Sequence, residues 1–135
     1  MDLTKALSIS ASGMNAQGVR LRVIAENLAN QDTTGSSPGA NPYRRKTVTF
    51  ADSVNRQTGT NLVTVAAIGQ DPSAFPLRYD PSNPAANTQG YVKLPNVNSF
   101  IEMMDMRDAE RSYDANLSVL QATRSMLTRT IDLLK

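Results

Sequence analysis

Three carboxylates, Glu102, Asp105 and Asp108, follow one another at intervals of three residues. On a helix that spacing sets them on nearby turns, where a divalent cation could in principle be held. Arg107 and Arg111 are interleaved with them and no second acidic cluster converges from elsewhere, so the pattern reads as a solvated, salt-bridged face. No metal is expected there. Gly35 to Gly39 followed by Lys46-Thr47 has the residue types of a phosphate-binding loop. The interval from second glycine to lysine is wrong and no helix follows, so no nucleotide or other cofactor is expected. Serine and threonine are plentiful, but the chain has neither histidine nor cysteine. Neither a Ser–His pair nor a thiolate nucleophile nor an imidazole metal site can therefore be assembled. Arg44-Arg45-Lys46 is the only compact basic cluster, and the formal net charge is +2. Three cations at the head of a strand suit edge protection or a protein contact better than phosphate, and the small net charge gives no broad attraction to nucleic acid. The chain is not expected to be an enzyme.

The acidic triplet lies in a long periodic segment, Val97 to Leu134. Met103, Met106, Tyr113, Leu117, Leu120, Leu127, Ile131 and Leu134 share one heptad frame, broken at that spacing by Glu110 and Arg124. Val119, Met126 and Leu133 repeat every seven residues beside it. The apolar stripe is thus wider than a two-stranded seam requires, and the helix is expected to want more than one neighbour. Ser99 and Glu102 have the spacing of a capping box, with Ser99 as N-cap. No proline or glycine interrupts Asn96 to Lys135, so the helix would run for roughly 55 Å at about 1.5 Å per residue.

A second frame at the other end holds Leu3, Leu7, Met14, Leu21, Ile24 and Leu28, with Ser10 and Gln17 in its gaps. From Ala6 to Val19 this helix carries no charge, and it is rich in Ser, Ala and Gly. Gly13 and Gly18 each cost roughly 1 kcal/mol of helix propensity. Such a helix is weak alone and expected to be surrounded by protein, yet the chain offers no third long helix to do so. Asn30 to Gly35 should end it through a left-handed residue. Strands are expected at Tyr43 to Phe50 and Leu62 to Ile68, with an edge or arm around Phe75, Leu77 and Tyr79, where Pro76 intervenes, and a last extended piece at Tyr91 to Leu94.

The expected class is α+β: two long terminal helices paired as an antiparallel coiled coil, with a small β-hairpin-rich insert between them. Residues 1–30 and 97–135 would form the helical domain and 31–96 the insert. No run approaches the roughly 18 apolar residues of a membrane span, so no membrane insertion is expected. The amino end does not look like a cleavable signal peptide.

Particular residues then become specific. Ser12-Gly13-Met14-Asn15-Ala16-Gln17, Ile24-Ala25-Glu26-Asn27-Leu28-Ala29-Asn30 and Thr34-Gly35 closely resemble the amino-terminal signature of the bacterial flagellar basal-body rod protein family. The resemblance continues through Pro42-Tyr43-Arg44-Arg45-Lys46, Asp80 to Pro84 and Gly90 to Asn98, and ends in Glu102-Met103-Met104, Arg111 to Asn116 and Ser125-Met126-Leu127. It covers nearly the whole chain. An insertion between Gly35 and Tyr43 departs from the usual family turn and is similar to the proximal-rod subtype. The resemblance implies a non-enzymatic subunit of the proximal rod, the drive shaft that carries torque from the inner-membrane ring across the periplasm. It implies helical stacking on copies of itself and contact with the sister rod proteins FlgB, FlgF and FlgG and the adaptor FliE. Delivery through the flagellar type III export apparatus is implied as well. Another rod or hook subunit is the alternative within the family. Its motif residues here are Ser12, Gly13, Asn27, Leu28, Ala29, Asn30, Gly35 and Tyr43.

Overall fold

Helix α1 runs from Leu3 to Ala29 despite its two glycines and many serines. Two of its serine hydroxyls donate within the helix: Ser8 Oγ to the Thr4 carbonyl at 3.0 Å and Ser12 Oγ to that of Ile9 at 2.8 Å. Polar side chains can thus sit along a partly covered helix without stranding a donor. The chain continues through β1 (Lys46–Asn55), β2 (Thr60–Gln70), β3 (Leu77–Tyr79), β4 (Tyr91–Lys93) and α2 (Ser99–Asp132). The computed structural model describes residues 3–133, so the expectation for Leu134 lies outside the described residues. Terminal helices with small hairpins between them are the α+β class read from the sequence. Strands β1 and β2 form one two-stranded sheet, β3 and β4 another. In the second, Leu77 pairs with Lys93, Arg78 with Val92 and Tyr79 with Tyr91, all antiparallel. Two compact units make up the chain.

The first unit holds Met1–Leu21, Val48–Ala67 and Met106–Lys135. Its hairpin turns between Asn55 and Thr60, where the Gly59 N–H donates to the Asn55 carbonyl at 2.8 Å. The Val63 N–H reaches Ser12 Oγ at 3.3 Å, tying β2 to α1. Ser10, Ala16, Ala109 and Thr123 are the buried helix residues of this unit. The inward seam of α2 therefore differs from the frame read in the sequence. Met106, Tyr113, Leu120 and Leu127 lie half-buried on it, but the positions between them are Ala109, Asn116 and Thr123. Glu110, Arg124 and Ile131 point outward, and Leu117 sits at the seam's edge. Small residues win those places because the helices come close. A Cβ built on Gly13 would stand 2.8 Å from Asn116 Nδ2. A bulky side chain opposite would force the backbones apart.

The second unit holds Arg22–Thr47 and Ile68–Asp105. Here the end of α1 lies antiparallel to the start of α2: Asn27 bonds Glu102, and Ser99 Oγ bonds Gln31 Oε1. Val23, Ile24, Ala85 and Val92 are buried here, together with Pro42 and Pro95. Three local expectations change. Helix α1 ends without a left-handed residue, because no described non-glycine residue has positive φ; the Asn30 amide instead donates to the Glu26 carbonyl at 2.8 Å. Gly35 is needed for space, since a Cβ there would stand 2.8 Å from the Ala40 carbonyl oxygen. The N-cap of α2 is Asn98, whose Oδ1 accepts from the N–H groups of Phe100 and Ile101 at 3.1 and 3.4 Å. Glu102 is thereby released from capping. The first strand also begins at Lys46, so Tyr43 precedes it.

Candidate assembly site

In the second unit one buried amide joins three segments. Asn27 is 1% exposed. Its Nδ2 donates to the Lys46 carbonyl at 2.9 Å and to Glu102 Oε2 at 3.1 Å, while Oδ1 accepts from Tyr43 Oη and the Lys46 N–H, both at 2.9 Å. Both donors and both acceptor positions are used, as a buried amide requires.

Glu102 has no exposure at all. Its other oxygen accepts from Arg45 Nε at 2.5 Å. A buried carboxylate this close to a guanidinium keeps its charge compensated. The remaining Arg45 nitrogens lie 3.6 Å from Asp71 and 3.6 Å from Asp105. Burial lowers the Arg45 pKa while Glu102 raises it, and the net displacement is upward. Burial also pushes the Tyr43 phenol up. Asn96 completes the node: its Oδ1 accepts from the Arg45 N–H at 2.8 Å and its amide donates to Ser73 Oγ at 2.9 Å.

The basic cluster is engaged within the chain. Arg44 stacks on the Phe75 ring at 4.2 Å and donates to the Asp71 carbonyl at 2.8 Å. Lys46 pairs with Glu26 at 2.9 Å, which raises the lysine pKa and lowers that of the carboxylate. Asp71 is held below the usual carboxylate range, first by the Ser73 N–H at 2.8 Å and then by the Ser73 hydroxyl. Among the described residues no three acidic side chains converge where a metal ion could sit. Nor, among the described residues, is any helix long and apolar enough to cross a membrane.

The residues expected to line helix contacts fall into three groups. Ile24 is buried, and Leu3, Leu7, Met14, Leu21, Leu28, Met106, Tyr113, Leu117, Leu120 and Leu127 are half-buried. Met103 and Ile131 are 53% and 50% exposed, so neither belongs to the chain's own seam. Of the family-motif residues, Ser12 and Gly13 pack in the first unit, and Asn27, Asn30, Gly35 and Tyr43 organise the second; Ala29 is exposed. The sequence reading missed Arg45, Asn96, Asn98 and Glu102 as a structural set. Asn98, directly before Ser99, carried a capping signal, whereas the Arg45–Glu102 pairing crosses 57 residues and left no local trace.

Around these cores several large apolar side chains are exposed. In the second unit Phe100, Ile101, Met103 and Met104 are exposed together at the start of α2. A groove beside them is lined by Ala74, Pro76, Val97 and Phe100. In the first unit Val119, Met126, Ile131 and Leu133 are exposed along α2. Patches of this kind on a small chain are contact surfaces awaiting a partner.

Two family models match the chain. "Flagella basal body rod protein" matches residues 7–35, and "Flagellar basal body rod FlgEFG protein C-terminal" matches residues 88–133. The flagellar basal-body rod protein FlgC of Agrobacterium fabrum is 53% identical over 133 residues, covering 98% of this chain and 96% of the relative. The FlgC proteins of Bacillus subtilis and Escherichia coli O157:H7 are each 40% identical, over 95% and 98% of both partners respectively.

Proposed function

The chain belongs to the flagellar basal-body rod protein family, and from that premise we propose that it builds the proximal rod by helical self-assembly. Its function is structural, as a subunit of the basal-body rod. The finer reading is a drive-shaft segment in the periplasm, delivered by the flagellar type III export apparatus and meeting FlgB, FlgF, FlgG and FliE. Residues 1–30 and 97–135 would be the assembly domain, and 31–96 an outward insert. Met103 and Ile131 would meet neighbouring copies.

The observation that carries this reading is the exposure of apolar side chains along α2, with Val119 50%, Met126 51% and Leu133 87% exposed. Water is a poor permanent neighbour for such a face, and burying it against other subunits is worth about 25 cal/mol per Å². An alternative reading as a small nucleic-acid-binding module would rest on Arg44, Arg45, Lys46, Arg56 and Arg78, and it loses support because Arg44, Arg45 and Lys46 are engaged by protein groups and Arg78 lies 3.9 Å from Asp80. In host cells, loss of this chain is expected to abolish swimming, and Leu120→Asp to fail to restore it, since an unpaired charge enters an apolar seam. Swimming without the chain, or with Leu120→Asp, would overturn the reading.

A further inference from the structure

On α2 of the first unit, Ala115, Val119, Ala122, Met126 and Leu133 are all exposed. They follow the intervals 4, 3, 4 and 7 and lie about a third of a turn from the inward seam, at 3.6 residues per turn. The helix therefore carries two apolar faces, and only one is covered within the chain. On α1, Thr4, Ser8, Ala11, Asn15 and Gly18 are exposed at intervals of 4, 3, 4 and 3. A Cβ built on Gly18 meets no heavy atom within 4 Å. All of this second stripe except Thr4 lies in the stretch from Ala6 to Val19, which has no charged residue.

We propose that the outer face of α2, centred on Val119 and Met126, docks on the small-residue face of α1, from Thr4 to Gly18, in a second copy of this chain. Knobs need holes: Val, Met and Leu seat between small residues at a matching heptad rhythm. The α1 stripe supplies those holes with no ion to desolvate. An α2–α2 contact would set large side chains against large ones.

The area also selects the kind of contact. The shorter face, the fifteen residues from Thr4 to Gly18, at 1.5 Å rise and about 12 Å width, offers roughly 270 Å², against about 800 Å² per partner in a free-standing interface. One such contact is too small to hold a dimer, and it serves where each copy touches several others. Because the two surfaces differ, the contact is head-to-tail, which builds a ring or an open helix according to the rotation between copies and not a two-fold pair. This inference rests on the self-assembling reading above and adds which faces meet.

The native chain has no cysteine, which makes a crosslinking test clean. Ala11→Cys and Val119→Cys, both exposed positions, are made in separate copies, one epitope-tagged, and co-expressed in host cells lacking the native chain. Mild oxidation is expected to give a disulfide-linked product at twice the 14.6 kDa monomer mass that contains one copy of each, and no product from either variant alone. Swimming cells with no crosslink between copies would overturn the proposed contact and leave the rod reading standing. A product from Val119→Cys alone would replace it with a two-fold α2 contact. A Val119→Cys product formed only with a different protein would overturn the second copy as occupant. Absence of the chain from purified basal bodies would remove the rod reading and this inference with it.

Discussion

Glu102 shows how much a single side chain carries here. It is wholly buried, and its charge is acceptable only because Arg45 and Asn27 occupy its two oxygens. Glu102→Ala leaves the Arg45 guanidinium, about a fifth exposed, without its main partner. Breaking a buried pair on one side costs about 3–5 kcal/mol, a large share of the roughly 5–15 kcal/mol that holds an ordinary domain together. Asn27→Ala strands the Lys46 N–H and one Glu102 oxygen, at about 1–3 kcal/mol for an unsatisfied buried group. Urea unfolding of both variants should show Glu102→Ala the more damaging, and equal midpoints with the native chain would refute the node. The exposed pairs around it act through pH. Glu26 and Asp71 have lowered pKa values in the folded chain. Their stabilisation is therefore present above the unfolded carboxylate value of about 4 and lost as pH falls through the lower folded values. Lys46 has the opposite sign: its raised pKa gives stabilisation that is complete below about 10.4 and lost as pH rises through the folded value. The urea midpoint is expected to drop between pH 5 and pH 3, and a flat profile there would exclude these carboxylates as contributors.

At the level of the helix, the start of α2 separates two similar asparagine and serine positions. Asn98→Ala removes the acceptor for two backbone N–H groups and should cost about 1 kcal/mol. Ser99→Ala removes the contact with Gln31 in either case, so thermal unfolding of Asn98→Ala decides, and a native-like midpoint for it would exclude Asn98 as the cap. The close approach of the helices gives a second test. Gly13→Ala should gain about 1 kcal/mol from helix propensity, but its methyl meets the Asn116 amide, which already donates to the Ser112 carbonyl at 3.0 Å. The gain should appear in full only in an Asn116→Ala background; the same gain in both backgrounds would mean that the helices do not touch there. These details mark where sequence legibility stopped. Both helices were legible because apolar residues recur every three or four positions, and of that frame Met106, Tyr113, Leu120 and Leu127 lie half-buried on the inward seam. At the alternate positions hydrophobicity favours Met103, Leu117 and Ile131, whereas within the chain close packing brings Ala109, Asn116 and Thr123 to the seam. The strands were legible from alternation, with boundaries shifted by a few residues. The Asn27–Glu102–Arg45 node was not, since each member is polar and its partners are far apart in the chain.

For the whole molecule, the decisive fact is how little apolar surface is hidden. Ala16, Val23, Ile24, Ala85, Val92 and Ala109 are the buried hydrophobic residues among those described, and three of these six are alanines. Each full burial of a Val- or Ile-sized side chain is worth about 1.5–3 kcal/mol, while fixing one residue's backbone costs about 1–2 kcal/mol. A core this thin, with two glycines in α1, predicts an isolated chain with weak helices that firm up only when neighbours cover their outer faces. Helices α1 and α2 hold 27 and 34 residues, a little under half of the 135. Circular dichroism of the dilute monomer should report clearly less helix than that, rising as sedimentation shows larger species with increasing concentration. Val119→Glu places a charge on the outer α2 face without entering the intrachain seam, so it should leave the dilute helix signal unchanged while removing its rise with concentration. A monomer already at full helicity at micromolar concentration would mean that the two helices satisfy each other, and coupling of folding to assembly would have to be abandoned.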